Sequence, residues 1–161
     1  MIHPIVTFGN EALRVPAQPV AEVNDAIRQL VRDLLETMYA SKGVGLAAEQ
    51  IGRTERVCVI DVPADAEKAD CRETNAAIPM PLVLINPEII ASEGKQRNEE
   101  GCLSFPEISA PITRPDKVTV TFLDLNGARV GGDDFLHQGQ CLRLFVRGQQ
   151  RLDLGHFLFG V

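Results

Sequence analysis

Cys102 is the side chain in this sequence best suited to nucleophilic or metal chemistry. It lies in Glu100-Gly101-Cys102-Leu103-Ser104, with Pro106 two residues beyond. A thiolate is a nucleophile or a soft-metal ligand. Gly101 lets the backbone approach another group closely or take a positive φ. A cysteine at a turn is equally a small apolar residue that packs, so the pentapeptide alone leaves both readings open. A second stretch narrows them. Gly43-Val44-Gly45-Leu46-Ala47-Ala48-Glu49-Gln50-Ile51-Gly52 combines glycines, small residues and one carboxamide. A helix stop followed by a tight turn accounts for Gly43 and Gly45. It does not account for Gln50 among so many small neighbours.

Taken together, in this order, the two stretches resemble the peptide deformylase family, whose signatures read GxGLAAxQ and EGCLS. The resemblance implies hydrolysis of the formyl group from an N-terminal formyl-methionine. The substrate is then a formylated nascent peptide and the setting is cytoplasmic protein biosynthesis, with the ribosome as an implied partner. Gly45, with Gly43, Val44, Glu100 and Gly101, is implied in substrate binding. The Gln50 side-chain N–H and the Leu103 backbone N–H are implied as donors to the oxyanion formed when a carbonyl is attacked. Such a donor typically contributes about 3 kcal/mol to the transition state. Cys102 is implied as a ligand to a divalent metal, Fe(II) in the family, with Zn, Ni or Co able to substitute. Glu49 stands where the family often has proline.

A third family signature, HExxH, supplies two histidines one helical turn apart and a glutamate that acts as base and acid on water. It is not intact here. The only histidines are His3, His137 and His156, and no two are four apart. The nearest echo is His137-Gln138-Gly139-Gln140-Cys141. If helical, His137 and Cys141 share a face, and with Cys102 they make a Cys-Cys-His metal site. Gln138 then stands in the place of the glutamate, and an amide does not accept the proton. Gly139 weakens such a helix by up to ~1 kcal/mol. The bland reading of both His137 and His156 is a surface or otherwise satisfied side chain. Three functional readings follow: a metal-dependent deformylase; a deformylase-like protein that binds peptide or metal without turnover; and an enzyme with Cys102 as nucleophile, which requires a histidine base nearby. Beyond about Val130 glycines recur and Leu142, Leu144 and Val146 alternate with Arg143, Phe145 and Arg147, a strand-like pattern. One expectation is that a reading-frame shift after about Val130 replaced the original C-terminus. Retranslating the coding DNA tests it, and absence of HExxH from both other frames rules it out.

The elements that position these residues read as follows. Asn24 is suited to cap a helix. Ile27, Leu30, Val31, Leu34, Leu35, Met38 and Tyr39 form its apolar stripe, so Met38 and Tyr39 are assigned to the core, with Gly43 as the stop. Residues 5–10 form a short extended lead-in with no chemical task. Val57 to Ile60 and Leu82 to Ile85 are strands, the second closed by Asn86-Pro87, with Ile89 and Ile90 extended after it. Cys58 is assigned to the core. Residues 63–81 form a polar surface loop carrying Cys71. Pro106, Pro111 and Pro115 punctuate an extended stretch, and Lys117 to Leu125 alternates as a strand ending in a turn at Asp124 to Gly127. At 161 residues the chain is one domain, 1–161, with the resemblance covering about 1–130 and 131–161 divergent. The resemblance implies an α+β fold, antiparallel β-sheets packed around a central helix. A net charge of −6 argues against nucleic-acid binding. No apolar run is long enough to span a membrane. Four cysteines without CxxC spacing fit a reduced cytoplasmic compartment better than a disulfide framework.

Overall fold

The computed structural model describes residues 1–61, 79–115 and 117–131. The one α-helix among the described residues, α1, spans Asp25–Ala40, and Asn24 caps it by accepting from the Ala26 and Ile27 N–H groups. Ile27, Leu30, Val31, Leu34 and Met38 are buried on one stripe. The helix ends one residue earlier than a Gly43 stop predicts. Lys42 takes the left-handed position at φ 55. The Lys42 N–H donates to the Tyr39 carbonyl and the Gly43 N–H to the Met38 carbonyl, which is a Schellman closure with lysine where glycine is usual. Tyr39 is also not core. It is 51% exposed, and its hydroxyl donates to Asp61 Oδ2 at 2.6 Å. Its position at the edge of the stripe, in the last turn, leaves the ring over the end of a neighbouring strand.

Seven strands follow among the described residues: β1 (Gly45–Ala47), β2 (Val57–Ile60), β3 (Leu82–Glu93), β4 (Gln96–Cys102), β5 (Phe105–Arg114), β6 (Lys117–Leu123) and β7 (Arg129–Val130). They form a five-stranded antiparallel sheet ordered β1-β2-β3-β6-β7 and a separate β4-β5 hairpin. All four β2 residues are buried, as expected of a central strand covered on both faces. Asn86-Pro87 does not close β3. Asn86 sits at φ 51 in a bulge between Ile85 and Glu88. Its carboxamide accepts from the Val20 N–H and donates to the Val20 carbonyl, both at 2.8 Å. The strand therefore bends and continues. The main hydrophobic core lies between the stripe of α1 and the inner residues Leu46, Val57, Val59 and Ile85. Val20 and Val23 close one end. Ile5, Val83, Leu103 and Leu123 pack against it from the margin.

Candidate active site

Gln50 belongs to a short 3-10 turn, Ala48–Ile51, that leaves β1 directly. Its side-chain oxygen accepts from the Ala47 N–H at 3.1 Å, so the carboxamide caps its own turn. That settles which end of the amide is oxygen. The nitrogen end faces away, donating to Cys102 Sγ at 3.5 Å and to Ser104 Oγ at 3.3 Å. Gln50 is 4% exposed and Ser104 2%. Two stretches fifty residues apart in sequence thus meet at one amide nitrogen.

Cys102 ends β4 and is partly buried. A bulge between Gly101 and Cys102 breaks the hairpin register just before it, which redirects the cysteine away from the regular ladder. The hairpin is braced there by an ion pair, Arg114 Nη2 to Glu100 Oε2 at 3.3 Å. The Glu100 side chain is only 10% exposed, so its carboxylate is committed to the hairpin. Leu103 reaches toward the other stretch. A Cβ added to Gly43 would lie 2.9 Å from Leu103 Cδ1. Gly43 is therefore glycine for close approach to Leu103, with the left-handed conformation falling to Lys42. Gly45 opens β1, an edge strand paired on one side with Ile60 of β2.

The lead-in segment, expected to be passive, ties the site together. The His3 N–H donates to Thr37 Oγ1 at 3.0 Å, the Val6 N–H to the Gln50 carbonyl at 2.8 Å, and the Phe8 N–H to the Ser104 carbonyl at 2.9 Å. Ser104 and this strap are what sequence reasoning missed. The final serine of EGCLS was visible, but nothing in sequence spacing shows a backbone segment bridging two motifs.

A sequence model of the family described as polypeptide deformylase matches residues 2–133. The chain belongs to the peptide deformylase family. This deformylase-family chain is 42% identical to a peptide deformylase of Acidobacterium capsulatum over 163 aligned residues, covering 100% of this chain and 87% of the relative. The peptide deformylase of Nitrosococcus oceani is 46% identical over 125 residues, covering 78% and 68% respectively. Among solved structures, the peptide deformylase of Ehrlichia chaffeensis superposes with a TM-score of 0.71 at 36% identity, over 81% of this chain and 73% of that one. A second structure from that organism is a complex with actinonin. The α+β fold and the hydrolase class are those of the family.

Deformylases are metalloenzymes. Among the described residues, Cys102 supplies a partly buried sulfur with an amide N–H directed at it, and a cysteine sulfur is a soft-metal ligand. That donor fits a borderline-soft divalent ion. No cluster of three or more His, Cys, Asp or Glu forms among the described residues. His137 and Cys141, the other two sequence candidates, lie outside them, as do Gln138 and His156. Cys58 is fully buried in β2, and burial first, then the nearby Glu49 carboxylate, pushes its thiol up to about 12. It is a core residue in keeping with its strand. No helix among the described residues is long and apolar enough to cross a membrane.

Proposed function

We propose that this chain removes the formyl group from formyl-methionyl peptides, acting in the cytoplasm on nascent chains as they emerge from the ribosome. The single observation that carries the reading is the convergence of Gln50 Nε2 on Cys102 Sγ at 3.5 Å. An extended peptide adds to the edge of β1 that is unpaired among the described residues, where Gly45 offers backbone groups beside Gly43 and Val44, whose carbonyl accepts from the Asp61 N–H, with Gly101 as a further contact. The Gln50 carboxamide and the Leu103 N–H donate to the oxygen of the formyl group as it gains charge. One Gln50 hydrogen is held by Ser104 Oγ, so only the hydrogen directed at Cys102 Sγ turns to the substrate oxygen. Cys102 is the ligand this half of the molecule gives to a divalent metal, Fe(II) by family likeness with Zn, Ni or Co as substitutes, and His137 and Cys141 are the candidates for the rest. When bound, the metal supplies Lewis-acid polarisation of water and carbonyl.

Metal content of the purified full chain and hydrolysis of formyl-Met-Ala test this together. The expected result is one metal per chain and turnover. Gln50→Ala should lower kcat on the order of 100-fold with KM little changed, and Cys102→Ser should lose both metal and turnover. Stoichiometric metal without turnover would overturn the reading and mark a binding relative. Turnover surviving Cys102→Ser would remove the cysteine from the metal site.

A further inference from the structure

Ser104 is a hydroxyl in a position that is 2% exposed. A buried hydroxyl needs a partner, and here its oxygen accepts from Gln50 Nε2 at 3.3 Å. A carboxamide nitrogen carries two hydrogens. We propose that Ser104 is the positioning residue for Gln50: by taking one of those hydrogens it fixes the plane of the amide and leaves the other directed at Cys102 Sγ. The inference deepens the deformylase reading and rests on it for its catalytic consequence.

Three observations converge on this role. The Ala47 N–H holds the oxygen end at 3.1 Å and so excludes the flipped amide, which would set two donors against each other. That bond alone leaves the plane of the NH2 group free to swing. Ser104 Oγ supplies the second fixed point. The two residues are also anchored independently of their side chains. The Val6 N–H holds the Gln50 carbonyl and the Phe8 N–H holds the Ser104 carbonyl, at 2.8 and 2.9 Å. One strap therefore sets the spacing between both backbones, and the side-chain bond forms at little further entropic cost.

The test is side-chain amide NMR on the full chain, with the Gln50 signals assigned by their loss in Gln50→Ala. Wild type should show two distinct NH2 protons, one with a cross-peak to the Ser104 β protons. Ser104→Ala should accelerate exchange of these protons on the order of ten-fold while the far-ultraviolet spectrum is unchanged. Ser104→Thr, which restores a hydroxyl, should recover at least part of the protection. In formyl-Met-Ala hydrolysis, Ser104→Ala should lower kcat on the order of ten-fold at constant KM. Exchange unaltered by Ser104→Ala, or a loss confined to KM, would overturn the proposal. If Ser104→Ala does not fold, the wild-type cross-peak decides by its presence or absence. If wild type does not turn over, the deformylase reading fails while amide exchange still decides whether Ser104 positions Gln50.

Discussion

Glu49 precedes Gln50 in the 3-10 turn and is partly buried. Burial is the largest influence on it and pushes its carboxyl up to about 7, against the smaller opposing pull of its own backbone N–H and of Arg56; Glu55 adds to the rise. The folded chain therefore holds this proton at pH values where the unfolded chain has released it. With the folded pKa raised, stability contributed at this site is greatest below pH ~4.5, falls as pH rises, and levels off above pH ~7. Asp33 and Glu55 shift the opposite way, through the amino group at Met1 and through Arg53 respectively. Their stabilisation is already in place above the ordinary carboxylate range, so among the described carboxylates with shifted pKa it is Glu49 that titrates between pH 5 and 7. Glu49→Gln should flatten the stability profile there and stabilise the chain by about 2 kcal/mol at pH 8, a partly exposed carboxylate giving less than the full shift. Denaturant titrations at pH 5, 6, 7 and 8 measure this, and parallel profiles for the two proteins would refute it.

At the scale of elements, two left-handed residues decide how the chain enters and leaves the sheet. Lys42 turns α1 toward β1, and Asn86 bends β3 within its own length. Asn86 is the better probe because its carboxamide satisfies both backbone groups of Val20. Asn86→Ala should cost about 3 kcal/mol, since it removes two bonds, strands a poorly solvated N–H and places a Cβ-bearing residue without Asn's local bonding in the left-handed region. The loss should appear as a lower denaturation midpoint at unchanged m-value. A loss below ~1 kcal/mol would mean that Val20 finds other partners.

For the molecule as a whole, α1 is the element on which both halves of the site depend. Leu34, Met38, Leu46 and Ile85 are all 0% exposed in one core, and β1, which leads into Gln50, lies on that core. Leu34→Ala should destabilise by about 3–5 kcal/mol through lost burial and an unfilled cavity. For a chain of this size that lowers the melting temperature by about 10 °C. Calorimetry gives the number, and a shift of ~2 °C or less would show a core that collapses around the gap.

Much of this was legible in the residues themselves. The three- and four-step recurrence from Ile27 to Met38 specifies α1, because only a helix gathers those side chains on one stripe. Asn24 marks its start because a short polar side chain suits the unpaired N–H groups there. The two motifs indicate the family and name Gln50 and Cys102. What the sequence determined was therefore local: periodicity, caps and residue chemistry. The tertiary structure decided what depends on distance between remote atoms. It set Gln50 against Ser104 as well as Cys102, gave the left-handed position to Lys42, kept β3 unbroken through Asn86, and left Tyr39 exposed. Lys42 apart, whose closure is with the preceding helical turn, each of these follows from a partner far along the chain, and the spacing of residues along one strand or helix carries no record of such a partner.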